Sequence, residues 1–215
     1  MSFSDLTFLF YFLPLFFAVY YLVPFRCKNA VLVLGSAACY LLGAGVRDAL
    51  LLSAALLLHY SLARLMEGRS PRMRKGLLAA ALSADLFCLV YFKYAAFFLE
   101  NWGKLTEQSF PLIKLVLPLG VSFYLFQSAG YLIDVCRGAA AEKNLVDYAA
   151  FTIAFPQLTM GPILRYDEWR GALKERTLSR EDAFLGFELF VVGLCFKVLL
   201  ADQLAPLWAS LERIG

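Results

Sequence analysis

The chain has 215 residues, 61% of them hydrophobic and 17% charged, with a formal net charge of +3 and a mean hydropathy of +0.67. Soluble domains run at about 45–50% apolar and about 25% charged; here the apolar residues come in long blocks, which excludes an ordinary soluble domain. The low charge excludes disorder, and a dispersed +3 is too small for a nucleic-acid footprint, so no nucleic-acid partner is expected.

An integral membrane protein remains, and its blocks read as helices in chain order. A crossing needs about 20 predominantly apolar residues. Leu6 to Val23 carries no charge and ends before Pro24. Nothing basic precedes it, so it reads as an uncleaved first helix, with Pro14 as the place for a kink. Ala30 to Gly45 and Ala49 to Met66 follow, separated only by Val46, Arg47 and Asp48, which predicts two helices joined by a tight polar turn. Leu77 to Leu99 is a fourth block and Leu112 to Cys136 a fifth. Tyr148 to Leu164 is a sixth, interrupted by Pro156 and by Gly161-Pro162. Ala183 to Ala201 is the seventh, and the tail 203–215 is too short to span. With no repeat and no low-complexity linker, residues 1–215 are expected to form a single membrane domain. The predicted fold class is all-α, a polytopic helical bundle of about six spanning helices plus one re-entrant segment.

Charge between the blocks predicts orientation, because Lys and Arg favour the cytoplasmic side. The stretch from Arg64 to Lys75 carries Arg64, Arg69, Arg72, Arg74 and Lys75 against one acid, Glu67, and is expected inside. Alternation then puts Met1 to Asp5, the Arg47-Asp48 turn and Glu100 to Pro111 outside. The Arg26/Lys28 loop and Arg137 to Asp147 fall inside. A spanning sixth block would place Arg165, Arg170, Lys174, Arg176 and Arg180 outside. Its two proline interruptions, short length and basic flanks predict a segment that dips in and returns to the cytoplasm. Irregular backbone at membrane depth is tolerated only in a protein interior or facing water. Phe155-Pro156-Gln157 and Gly161-Pro162 are therefore expected to line a cavity that opens inward.

Charged residues inside the blocks are the candidate functional groups, since each costs about 2.5–3.5 kcal/mol at a helix centre on insertion scales. They are Asp85, Lys93, Lys114, Asp134, Glu188 and Lys197. Asp85 and Lys93 lie about 12 Å apart along a helix axis, too far to pair, so each is expected to meet a partner on another helix. Lys93 can equally snorkel to the interface and Asp134 can simply cap the cytoplasmic end; Asp85 and Glu188 sit deeper. His59, the only histidine, reads either as a proton shuttle or as a packed group bonded to a neighbouring helix. Ala55, Leu56, Leu62 and Ala63 one turn away supply no acid or nucleophile, which favours packing. Without a second histidine no metal site is supported. Cys27, Cys39, Cys88, Cys136 and Cys195 form no close pair; four of them lie in or at the edges of apolar blocks and read as small buried hydrophobes. Gly35, Cys39 and Gly43 have the spacing of a close helix contact.

Three stretches carry a resemblance. They are Tyr91-Phe92-Lys93-Tyr94 with Phe97; Leu117-Pro118-Leu119-Gly120-Val121-Ser122-Phe123-Tyr124 running on to Gln127, Tyr131, Asp134, Arg137 and Gly138; and Phe155-Pro156-Gln157-Leu158 with Gly161-Pro162 and Arg165. In this order and spacing, with the opening Phe3-Ser4, Phe8-Leu9-Phe10 and Leu13-Pro14, the chain resembles the membrane-bound O-acyltransferase family. The likeness is to its alginate O-acetylation and peptidoglycan O-acetyltransferase branch. The resemblance implies an inner-membrane, multi-pass enzyme that takes an acyl group from a cytoplasmic thioester donor, acyl-CoA or an acyl carrier. The group passes to an extracytoplasmic polysaccharide such as alginate or peptidoglycan, with a periplasmic acetyltransferase partner and no cofactor. Lys93, Gln127, Asp134, Gln157 and Arg165 become candidate substrate-binding residues of the donor funnel. Arg165 reads either as a phosphate ligand or as a topology anchor. The family's catalytic histidine lies in a later Trp/Arg/His-rich stretch that His59 does not match. The expectation is thus an amino-terminal half, truncated before that histidine, with no catalytic residue of its own and no activity alone. The competing classes are a transporter or channel subunit, in which broken helices also adjoin a basic mouth, and a scaffold whose polar groups only hold helices together.

Overall fold

Apolar length and capping residues together set the helices of the computed structural model, which describes residues 5–106, 116–158, 161–176 and 179–211. A π-helical stretch, Phe8–Phe12, runs into α1 (Leu13–Leu22), and a 3₁₀ turn, Phe25–Cys27, leads into α2 (Lys28–Ala44). Then come α3 (Val46–Met66), α4 (Pro71–Leu89), a π-helical stretch Val90–Tyr94, and α5 (Ala95–Thr106). After these lie α6 (Val121–Arg137), α7 (Leu145–Ile153), α8 (Phe155–Leu158) and α9 (Tyr166–Lys174). The last elements are α10 (Arg180–Cys195), a π-helical stretch Phe196–Ala201, and α11 (Asp202–Leu211). Among the described residues there is no strand. Four helical runs are long and apolar enough to cross a bilayer: Phe25–Ala44, Val46–Met66, Pro71–Tyr94 and Arg180–Trp208, with Phe8–Leu22 a shorter apolar helix. The chain is read as an all-helical, multi-pass membrane protein.

Several boundaries differ from those read off the apolar blocks, for a common reason: hydropathy marks where a helix is oily, not where its hydrogen bonds stop. The α2–α3 turn is Gly45 alone, at φ 85°, a backbone conformation that favours glycine. Val46, Arg47 and Asp48 form the first turn of α3. Helix α4 begins at Pro71, six residues before the apolar block, because Ser70 caps it and proline suits the first helical position. The fifth block opens differently. Residues 116–120 are not helical, and α6 starts only after Gly120, at φ 69°; Lys114 lies outside the described residues. The tail after Ala201 continues the seventh helix as α11.

The chain divides into two compact units, residues 1–19 with 174–215, and residues 20–173. In the smaller, Phe8, Phe12 and Phe16 stack in sequence at 5.3 and 6.0 Å between ring centroids. Ser179 and Asp182 form a capping box that starts α10. No described side chain from Arg180 to Trp208 is buried. Glu188, which the sequence places deep in its block, is exposed along with its apolar neighbours. Lys197 pairs with Asp202, one turn on.

The larger unit is built around α6, which packs against α3 and α4, while α7 packs against α2. Nine residues of α6 are buried, and α7 is buried from Asp147 to Ile153. Helix α6 ends at Gly138, φ 116°, whose N–H bonds the Asp134 and Val135 carbonyls, a glycine stop of ordinary kind. On α2 the buried positions are Ser36 and Tyr40; Gly35 and Cys39 are only half-buried and Gly43 is exposed. The expected buried cysteines are likewise corrected: Cys39, Cys88 and Cys136 are half-buried, Cys27 and Cys195 exposed, and all five are free thiols.

Candidate functional site

Gln127 and Asp134 lie seven residues apart on α6, two turns, hence on one face about 10 Å apart. Both reach the interrupted segment 155–165. The buried Gln127 amide donates to the Phe151 carbonyl at 2.9 Å and to Gln157 Oε1 at 3.4 Å. Lower on the same face, Arg165 Nη2 donates to Asp134 Oδ1 at 3.3 Å. The Arg165 side chain is 65% exposed and Asp134 14%, so water weakens that pair. Four of the five residues singled out from sequence thus meet as two pairs.

The fifth, Lys93, stands apart. It is exposed in the Val90–Tyr94 π-helical stretch, with its ammonium 5.6 Å from the Tyr94 ring centroid. Its recorded partner belongs to its own segment, not to another helix as expected. Asp85 does meet another helix, through His59.

The segment between the two α6 contacts is held from the other side by α2. Ser36 Oγ accepts the Phe155 N–H at 3.0 Å, taking up a backbone donor freed at the α7–α8 break. Asn29, at the start of α2, donates to Asp147 Oδ1 at 2.7 Å and to the Leu173 carbonyl at 3.4 Å. One side chain therefore grips the chain near the beginning of α7 and again at the end of α9. Between these grips the backbone turns at Gly161, whose N–H bonds the Gln157 carbonyl at 3.0 Å. A Cβ at Gly161 would stand 2.4 Å from Gln157 Cα, so only glycine fits.

Beside this segment an acid is fully committed. Glu142 is buried; its Oε1 accepts the Lys143 and Asn144 N–H groups at 2.9 and 3.1 Å, and its Oε2 accepts Tyr166 OH at 2.5 Å. The Glu142 N–H in turn donates to Tyr131 OH at 2.7 Å. Burial, with the Glu142 carboxylate beside it, pushes the Tyr166 phenol above its ordinary value. Tyr131, Tyr148, Phe151, Tyr166 and Trp169 form a chain of tilted and edge-to-face ring contacts that includes both tyrosines bonded to Glu142.

His59 joins α3 to α4. Its Nε2 is 3.0 Å from Asp85 Oδ2 and its Nδ1 is 2.7 Å from the Ala55 carbonyl. The carbonyl can only accept, so Nδ1 carries a hydrogen, and neither ring nitrogen is left to act on a substrate. This is the packed, bonded histidine that its neighbours favoured. The Asn29 grip, the Glu142 cluster and the identity of Asp85's partner were not read from sequence. Asn29 bonds residues 118 and 144 positions away, Glu142 reaches Tyr166 24 positions on, and Asp85 meets His59 26 positions back, and only the isolated acid at Asp85 gave any signal. Among the described residues no group of three or more His, Cys, Asp or Glu gathers as for a metal. What the arrangement offers chemically is hydrogen-bond donors, the Gln157 amide and the Arg165 guanidinium, along an interrupted backbone, with both Gln127 donors already engaged.

No family model and no solved structure matches the chain. Curated proteins do. The probable alginate O-acetylase AlgI of Azotobacter vinelandii is 37% identical over 96% of this chain and 43% of its own length. The protein of the same description from Pseudomonas aeruginosa is 38% identical over 96% of this chain and 41% of its own. The peptidoglycan O-acetyltransferase of Helicobacter pylori is 30% identical over 95% and 45%. The chain is thus homologous to O-acetylating enzymes over nearly all its residues, and it spans under half the length of these relatives.

Proposed function

We propose that this chain forms the donor side of a membrane-embedded O-acyltransferase, acetyl being the group its relatives' names point to. The observation that carries the reading is the homology to alginate O-acetylases and a peptidoglycan O-acetyltransferase across 95–96% of the chain. The donor is a cytoplasmic thioester, acyl-CoA or an acyl carrier, and the acceptor a polysaccharide hydroxyl beyond the membrane. In the reaction the hydroxyl oxygen adds to the thioester carbonyl and the C–S bond breaks. The hydroxyl proton passes through a base to the departing thiolate. That base is not assigned to His59, whose ring nitrogens are both engaged.

In this reading Phe8–Leu22, α2, α3, α4, α6 and the α10–α11 helix cross the bilayer, and residues 145–173 are re-entrant. Three observations support the re-entrant part. At 1.5 Å per residue the nine residues of α7 rise about 14 Å, roughly half of a 30 Å hydrocarbon core. Asn29 bonds both Asp147 and Leu173, which returns the chain to the end of α2 from which it left. The break at Ala154 between α7 and α8 is held by Ser36 of α2, and Gln157 of α8 by Gln127 of α6, as interrupted backbone at depth requires. Gln127 and Gln157 line the resulting funnel. Arg165 at its rim takes the donor's phosphates, Asp134 orients it, and Lys93 stands on a separate wall. An inner-membrane location and a periplasmic acetyltransferase partner complete the proposal.

The test is photolabelling of the chain in inside-out membrane vesicles with an acyl-CoA analogue carrying a photoreactive acyl group. Label should fall within residues 151–165 and be displaced by acetyl-CoA, and Arg165→Ala should weaken labelling by about tenfold, the size of one charge-assisted contact. Label elsewhere, or label that acetyl-CoA leaves in place, would reject the donor site. Chain-dependent solute flux in liposomes would move the protein to the transporter class.

A further inference from the structure

Four cations close the α3–α4 turn and open α4: Arg69, Arg72, Arg74 and Lys75. The acid nearest in sequence, Glu67, is taken by Arg64. Among the described residues no carboxylate pairs with any of the four. Arg69, Arg72 and Lys75 are exposed, and Arg72 and Lys75 share a helix face at i and i+3. Arg74 is half-buried, and its Nε is shielded from water with no hydrogen-bond acceptor. Arg72, Arg74 and Lys75 lie within the first five residues of Pro71–Tyr94, a helix long and apolar enough to cross a bilayer, and Arg69 stands just before its Ser70 cap. The cluster therefore stands at the depth where a crossing helix passes the lipid headgroups. Met73, 47% exposed among these cations, offers apolar contact at the same level.

We propose that Arg69, Arg72, Arg74 and Lys75 bind the phosphate headgroup of an anionic phospholipid where α4 enters the bilayer. A phosphodiester meets the exposed side chains of Arg69, Arg72 and Lys75, which have no carboxylate partner among the described residues, and suits the planar guanidinium fork. The position favours a lipid over a soluble anion, because the cations border an apolar helix and enclose an exposed methionine, and only a lipid brings a phosphate with hydrocarbon beneath it. Cations at this place also bias insertion, but that role ends once the chain is inserted, whereas headgroup binding persists in the purified protein. The site does not depend on acyl transfer and stands or falls separately from it.

The full chain in dodecylmaltoside micelles is mixed with phosphatidylglycerol or phosphatidylcholine, and bound lipid is counted by native mass spectrometry. Phosphatidylglycerol is expected to bind at least about tenfold more tightly, and the preference should fade as salt is raised towards about 0.5 M. Arg72→Gln with Arg74→Gln and Lys75→Gln should abolish the preference, while Lys143→Gln with Arg170→Gln and Lys174→Gln should leave it intact. The proposal is overturned by equal binding of the two lipids, by an equal loss in both triple variants, or by displacement of phosphatidylglycerol with millimolar inorganic phosphate. Should the first triple variant fail to insert, the wild-type salt series decides alone: a preference that salt does not touch overturns the site.

Discussion

Asp85 is a buried carboxylate in an apolar helix, and His59 is the group that makes it tolerable there. Because Nδ1 donates to the Ala55 carbonyl, the remaining contact is one proton shared between Nε2 and Asp85. Asp85→Asn keeps a donor facing Nε2 and is expected to cost under about 1 kcal/mol, whereas Asp85→Ala leaves the ring unpaired and should cost about 2–4 kcal/mol. Thermal unfolding in detergent separates the two, and equal midpoints for Asn and Ala would contradict the pairing. His59 is the sole histidine, so any imidazole resonance reports this contact directly. A second prediction concerns Tyr166. Its folded-state value is raised by burial and Glu142, so its stabilisation is whole below the ordinary tyrosine value, about pH 10, and is lost as pH rises above it. Tyr166→Phe should cost about 1–2 kcal/mol at neutral pH. The gap between variant and wild type should close above that pH, and a gap that widened instead would refute the assignment.

The helix α6 works as a rail, with Gln127 and Asp134 reaching the same broken segment two turns apart. Its two contacts differ in burial, so they should differ in strength. Gln127→Ala strands the Gln157 side chain and a buried carbonyl, at a cost of about 1–3 kcal/mol. Asp134→Ala removes an exposed pair and should stay within about 1 kcal/mol. Gly161→Ala has no such latitude, since its new methyl would stand 2.4 Å from Gln157 Cα. It should perturb the turn as a whole, seen as faster proteolysis between residues 155 and 165 than in wild type; an unchanged digestion pattern would show that the turn can relax. Much of this element was legible beforehand. Pro156, Gly161 and Pro162 mark the break in any sequence window; Asp134 stood out as a charge inside an apolar block, while Gln127, Gln157 and Arg165 were marked by the family resemblance. Their pairing was not legible, because Gln127 bonds a main-chain carbonyl of Phe151 that no side-chain pattern encodes. The start of α4 hid for a related reason: Ser70 and Pro71 define it, and they lie among charges outside the apolar block.

At the scale of the whole chain, composition alone made the membrane legible, and long helices answer to it. The path of residues 145–173 is a different kind of question, because charge counting and chain geometry bear on it independently. Basic residues flank the sixth apolar block on both sides, and Asn29 bonds both Asp147 and Leu173. If both features have one cause, the loop Arg64–Lys75 and helix α9 face the same compartment. The five native cysteines can be replaced, and single substitutions Arg69→Cys and Arg170→Cys, both at exposed positions of the larger unit, then probed with a membrane-impermeant maleimide. Both sites should react in inside-out vesicles and stay silent in intact cells, with Asp5→Cys behaving in the opposite way. Reaction of Arg170→Cys in intact cells, with Arg69→Cys still protected, would mean that the sixth block crosses. In that case Arg165 would lie on the far side from a cytoplasmic thioester, and the donor funnel would have to be sought on another face of α6.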